Sequence, residues 1–320
     1  VIAQGDGNIT VGAQAVVVSG SVVGDVVTGQ KEIINAGKLT MMRFEAGSQV
    51  FFGLRKPAAV KTEDPQALRR YLDYLVAEYQ HLKLQGIRAG SHAISVSLEQ
   101  VYISLSMEGK YMPAARIGVR SQDGSPEDAG GGWYSLDKAL QITKRLVITG
   151  DPGCGKTTLL SYLALTYARA LRDGQDLVSE RLGVKEAGYL PILLPLRDLG
   201  RHLVETKTTS GMEGAALLLD FLRVYYRNQK IDLPEDFFHT PLEDGQAVLL
   251  LDGMDEVADT ALRQRIARLI EKFARRYPRS RYVVTSRTVG YSGDARVQED
   301  FCLAKVRELT RDEVRRFLYD

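Results

Sequence analysis

Two cysteines and one tryptophan in 320 residues are the first scarcities of this chain. Cys154 and Cys302 make no disulfide framework, so a reducing cytoplasm is the expected setting. No apolar run approaches the roughly 20 residues that a helix needs to cross a bilayer. The longest, such as LPILLPL (190–196), are strand-sized, and no membrane partner is expected. The opening VIAQGDGN has neither the charged start nor the long apolar centre of a signal peptide. Charge of one sign is missing too: 42 Lys and Arg face 40 Asp and Glu, a net charge of +2. Bulk charge therefore gives no footprint for nucleic acid or a membrane surface.

What remains is an ordinary globular composition, 44% hydrophobic and 26% charged, long enough for one large core or two modest domains. The chain starts without Met and stops inside LTRDEVRRFLYD, where Thr310 and Glu313 are spaced as a capping box. It reads as a piece of something longer. Residues 1–56 stand apart: VVVSGSVVGDVVTGQKEIINAG sets Val and Ile between Gly, Ser and Asp punctuation, which fits short strands and tight turns or a mobile leader. From Asp64 the period becomes helical, with Leu68, Tyr71, Leu72, Leu75, Val76, Tyr79 and Leu82 on one face and Asp64–Pro65 as cap and first position. HAISVSLEQVYISL then reads as strand or extended chain. SQDGSPEDAGGGW (121–133) reads as a surface loop.

From residue 135 strand-like and helix-like stretches alternate. RLVITG (145–150), YLPILLPL (189–196), AVLLLD (247–252), RYVVTS (281–286) and FCLAKV (301–306) are near-continuous apolar strands separated by helical patterns. That is the mark of an α/β fold with a mostly parallel sheet covered on both faces.

GDPGCGKT fits G-x-x-x-x-G-K-[ST] between the strand RLVIT and an amphipathic helix, as a phosphate-cradling loop requires; the alternative is a plain glycine-rich turn. Glycines let successive N–H groups face one anion, and the helix adds its positive dipole end. Gly150, Asp151, Pro152, Gly153, Cys154, Gly155, Lys156, Thr157 and Thr158 are the nucleotide-binding candidates. Lys156 is expected on the β and γ phosphates and the Thr157 hydroxyl on Mg²⁺. Downstream, Asp252 ends an apolar strand, where parallel folds place ligand groups, and is the second Mg²⁺ candidate. Asp255 and Glu256 follow at once and are catalytic candidates, Glu256 ahead of Asp255, for orienting an attacking water. Otherwise they merely start a helix, where acids suit the dipole. Arg287 closes the next strand and is expected to sense the γ phosphate, unless it is a solvated loop residue. The basic run RQRIARLIEKFARRYPRSR carries Ile266, Leu269, Ile270 and Phe273 as a buried stripe, so it reads as a solvated helix back rather than a nucleic-acid surface.

These residues resemble a family. VLLLDGMDE, with small Gly253 after the metal-binding acid and the paired Asp255 and Glu256, resembles the modified second nucleotide motif of NACHT domains, in the STAND class of signalling NTPases. VITGDPGCGKTTLLSYLA, LPILLPLRDL, VVTSR and SLEQVYISL look like their counterparts in bacterial NACHT proteins. The resemblance covers roughly residues 68–320. It implies a five-stranded P-loop NTPase sheet of order 5-1-4-3-2, ATP or ADP with Mg²⁺, slow hydrolysis, homo-oligomerisation on activation and a role in signalling such as antiphage defence. The expected division is a β-rich segment at 1–56, a helical and extended linker at 57–134, the NTPase core at 135–309 and the start of a helical lid at 310–320. Two rivals stand beside the ATP-driven switch: a binding module that holds nucleotide without hydrolysing it, and a motor or loader acting on nucleic acid.

Overall fold

The computed structural model describes residues 7–10, 16–17, 31–36, 39–44, 49–52, 60, 64–89, 92–101, 106–109, 133–184, 188–205, 214–289, 291, 296–298 and 300–307. The chain divides into two compact units, Val1–Lys56 and Pro57–Asp320. In the first, β1 (Gly7–Thr10) pairs antiparallel with β5 (Gln49–Phe52), while β2 (Val16–Val17), β3 (Lys31–Ala36) and β4 (Leu39–Phe44) form a three-stranded antiparallel sheet with β4 in the centre.

The second unit opens with α1 (Pro65–Tyr79). Asp64 caps it, its Oδ1 accepting the N–H groups of Gln66 and Ala67 at 2.9 Å each, which satisfies two of the donors a helix start leaves open. Of the predicted stripe Tyr71, Leu72, Leu75 and Val76 are buried, joined by Ala67; Leu68 and Tyr79 are half-buried, and Leu82 lies beyond the helix end. A hairpin of β6 (His81–Ala89) and β7 (His92–Ser97) follows. Leu98–Val101, expected as extended chain, is instead one helical turn, α2. Glu99 on that turn is gripped by Arg169 and Arg181. Burial pushes the Glu99 carboxyl up, but the two guanidinium groups outweigh it and hold the group below its ordinary range.

The remaining elements are β8 (Ser106–Gly109), β9 (Trp133–Ser135), α3 (Leu136–Ile142), β10 (Arg145–Gly150), α4 (Lys156–Asp173), α5 (Leu177–Leu182), β11 (Leu190–Pro195), α6 (Leu196–Glu205), α7 (Ala215–Asn228), α8 (His239–Glu243), β12 (Ala247–Asp252), α9 (Thr260–Arg276), β13 (Arg281–Arg287) and β14 (Cys302–Val306). One sheet carries the unit, in the order β11-β12-β13-β10-β14-β8-β9. β10 to β14 run parallel, flanked by helices; β8 and β9 join antiparallel beyond β14. The sheet departs from the expected five strands, though its parallel ones, numbered along the chain, keep the expected order 5-1-4-3-2. Seven strands numbered along the chain give 4-5-6-3-7-1-2, because two short pieces of the presumed linker pair onto it. The rest of the 121–133 loop and the Thr310–Glu313 capping box lie outside the described residues.

Helix α4 was expected to be amphipathic, yet it is buried nearly all round, with Leu159, Leu160, Leu163, Ala164, Leu165 and Ala168 at 1% exposure or less. It lies along β10 to β13, and α1 packs against it. Cutting any of these leucines to Ala costs about 2 to 5 kcal/mol. Strand β11 forms the sheet edge, which suits Pro191 and Pro195, since proline has no N–H for a ladder. Two buried tyrosines close that edge. Tyr71 Oη donates to the Pro191 carbonyl at 2.7 Å, and Tyr226 Oη to that of Leu193 at 3.0 Å. Burial drives both hydroxyls well above their ordinary pKa, so both keep the protons they donate. Among the described residues no helix is long and apolar enough to cross a membrane.

Candidate functional site

Parallel strands end on one side of the sheet, and β12, β13 and β10 are neighbours there. Gly150 ends β10 in register with Arg287, which ends β13; Asp252 ends β12. The segments 150–158, 252–256 and 285–287, far apart in sequence, are thereby brought side by side.

The loop after β10 turns sharply because Gly155 sits at φ 85°, a left-handed conformation open to glycine at little cost. Its carbonyl accepts the Leu159 N–H at 2.8 Å and starts α4. A cleft of about 250 Å³ opens beside this loop. Pro152, Gly153, Gly155, Lys156, Thr157 and Thr158 line one side. Asp252, Gly253, Asp255, Glu256, Thr285 and Arg287 line the other. Gly150, Asp151 and Cys154 are not among the lining residues. Their backbone carbonyls and sulfur serve Lys156 instead: its Nζ donates to Gly150 O at 2.8 Å, to Asp151 O at 2.9 Å and to Cys154 Sγ at 3.4 Å. The ammonium expected on phosphate is thus held at the rim of its own loop.

The acids are held by the neighbouring strand. Thr285 Oγ donates to Asp252 Oδ1 at 2.5 Å and accepts the Gly253 N–H at 2.9 Å. Two residues on, and so on the same face of β13, Arg287 meets Asp255. Its backbone N–H reaches Oδ1 at 2.7 Å and its Nε reaches Oδ2 at 2.9 Å. The Asp255 side chain is 10% exposed and that of Arg287 55%. Arg287, expected to face phosphate, is turned to Asp255. Asp255 and Glu256 lie in a 3₁₀ turn, Met254–Glu256, started by Gly253 at φ 75°. A Cβ on Gly253 would sit 3.1 Å from Glu256 Cγ and Cδ, so the glutamate folds back over the glycine. Its Oε2 lies 3.7 Å from an Arg197 guanidinium nitrogen just beyond β11.

Thr157 and Asp252 offer two hard oxygens to a cation. Among the described residues no group of three or more His, Cys, Asp or Glu is gathered as a metal cage. That donor set fits Mg²⁺, which keeps several waters and takes one or two carboxylates together with phosphate oxygens. Sequence reasoning missed Thr285 and Arg197. The signal for Thr285 was a hydroxyl two places before Arg287, which means nothing until β13 is known to lie against β12. The basic back of α9 is as expected: Arg268, Lys272 and Arg275 are exposed, while Ile266, Leu269, Ile270 and Phe273 are buried.

No protein-family model matches this chain, and no curated protein does. Among solved structures it is similar to one described as the structure of C. elegans PCH-2, at 15% identity, with a TM-score of 0.28. The match covers 54% of this chain and 38% of that one, so it spans well under half of the other protein's length.

Proposed function

We propose that this chain is a nucleotide-controlled switch of the NACHT type that binds ATP with Mg²⁺ and hydrolyses it slowly. One observation carries the reading: a single cleft is lined by the loop from Pro152 to Thr158 and by Asp252, Asp255, Glu256 and Arg287. The backbone N–H groups of the loop and the first turn of α4 cradle the phosphates, with Lys156 leaving its carbonyl partners to join them. Thr157 and Asp252 hold the cation, which offsets charge on the phosphate oxygens when bound. Glu256 orients the attacking water and takes its proton. Arg287 donates to the oxygens on which charge grows.

Two contacts are exchanged before hydrolysis, Arg287 with Asp255 and Glu256 with Arg197. The same contacts favour a second reading, a module that holds nucleotide and scarcely hydrolyses it. We place the protein in a reducing compartment, in keeping with two free cysteines. Assembly on ATP, with residues 1–56 as a self-association element, and a part in antiphage signalling complete the proposal. The test is to identify the nucleotide that copurifies and to follow phosphate release and mass by light scattering. Bound adenine nucleotide with slow release supports the switch. Bound nucleotide with no release at any protein concentration supports the module, and protein that neither carries nor binds nucleotide ends both.

A further inference from the structure

Thr285 is wholly buried, and its hydroxyl has both partners fixed. The Gly253 amide can only donate, so Oγ accepts there at 2.9 Å; the one proton of Oγ is then left for Asp252 Oδ1 at 2.5 Å. An ionised carboxylate only accepts hydrogen bonds, and a bond from a buried hydroxyl fixes which of its oxygens is engaged. Oδ1 is committed to β13, leaving Oδ2 for the cleft that Asp252 lines. The left-handed Gly253 aims its amide at the same hydroxyl, so the backbone after Asp252 and the side chain of Asp252 are pinned by one atom. Parallel pairing supplies the alignment: Leu251 and Val284 are register partners, so the next residue on each strand is Asp252 and Thr285.

We propose that Thr285 is the positioning residue for the metal-holding acid: it sets the rotation of the Asp252 carboxylate and thereby the affinity of the site for Mg²⁺. The proposal rests on the nucleotide reading given above. Groups that orient a metal ligand from behind commonly matter about 10- to 100-fold in metal affinity, and Thr285, its hydroxyl engaged by Asp252 and Gly253, acts through Asp252.

Thr285→Val keeps the shape and β-branching of the side chain and removes the hydroxyl; Thr285→Ser keeps the hydroxyl. ATP affinity is measured by calorimetry on the full chain in saturating Mg²⁺ and again in excess EDTA, and the ratio of the two constants is the gain due to metal. Thr285→Val is expected to lower that gain roughly 10-fold or more, with the EDTA constant unchanged within about twofold and wild-type behaviour restored in Thr285→Ser. Should the valine variant fail to fold, Thr285→Ala supplies the same comparison. An unchanged gain in the hydroxyl-free variant overturns the proposal, and so does an equal weakening of both constants, the sign of a merely structural role. Asp252→Asn separates the premises: if it leaves the gain intact, or if the wild type binds no nucleotide, the nucleotide and metal reading itself has failed.

Discussion

Arg287 holds Asp255 twice, by a hydrogen bond from its backbone N–H at 2.7 Å and by an ion pair of its Nε with Oδ2 at 2.9 Å. The backbone bond fixes Asp255 whatever the Arg287 side chain does, so the guanidinium can leave without the acid moving. With the side chain 55% exposed, the pair is screened and the exchange is cheap. Arg287→Ala should therefore lower phosphate release by about 10² to 10³-fold, the usual effect of losing one donor to developing charge. ADP affinity should be unchanged, since ADP has no γ phosphate. Single-turnover release and ADP calorimetry check this. Weakened ADP binding would make Arg287 a general phosphate ligand.

Glu256 and Asp252 should fail in different ways. Glu256→Gln keeps the shape and removes the base, so ATP affinity should hold while release falls by roughly 10² to 10⁴-fold. Asp252→Asn should weaken Mg²⁺-dependent binding and release together. Release left intact by Glu256→Gln would transfer the water-orienting role to Asp255.

The edge of the sheet gives a stability test. Tyr71→Phe leaves the Pro191 carbonyl without its buried donor while Tyr226 still serves Leu193, a loss of about 1 to 3 kcal/mol and a few degrees in melting temperature. Nucleotide affinity should not change. An unaltered melting curve would mean that these hydroxyl bonds do not hold α1 and α7 to β11.

Much of this was legible in the chain. The loop from Gly150 to Thr158 could be read because glycine and lysine at fixed spacing sit between an apolar strand and a helix, and both flanks are long enough to show their period. The acids were legible because AVLLL has nowhere to go but a buried strand, and Asp252 ends it. Strands β8 and β9 were not, since four and three residues are too few to display an alternation. The grips of Thr285 on Asp252 and Arg287 on Asp255 depend on which strands are neighbours. A single sequence does not carry that register. Helix α4 was misjudged for a related reason: sheet on one side and α1 on the other bury both faces, and only the first partner was foreseen.

The central claim, that the loop after β10 is a phosphate cradle, stands or falls with Lys156. Titration calorimetry of ATP into the wild type and Lys156→Ala, with circular dichroism to show both folded, measures it directly. The charge-assisted bonds of an ammonium to phosphate contribute about 1.5 to 3 kcal/mol each, so the variant should bind at least about tenfold more weakly with its fold intact. Equal affinity in the two proteins would contradict the account.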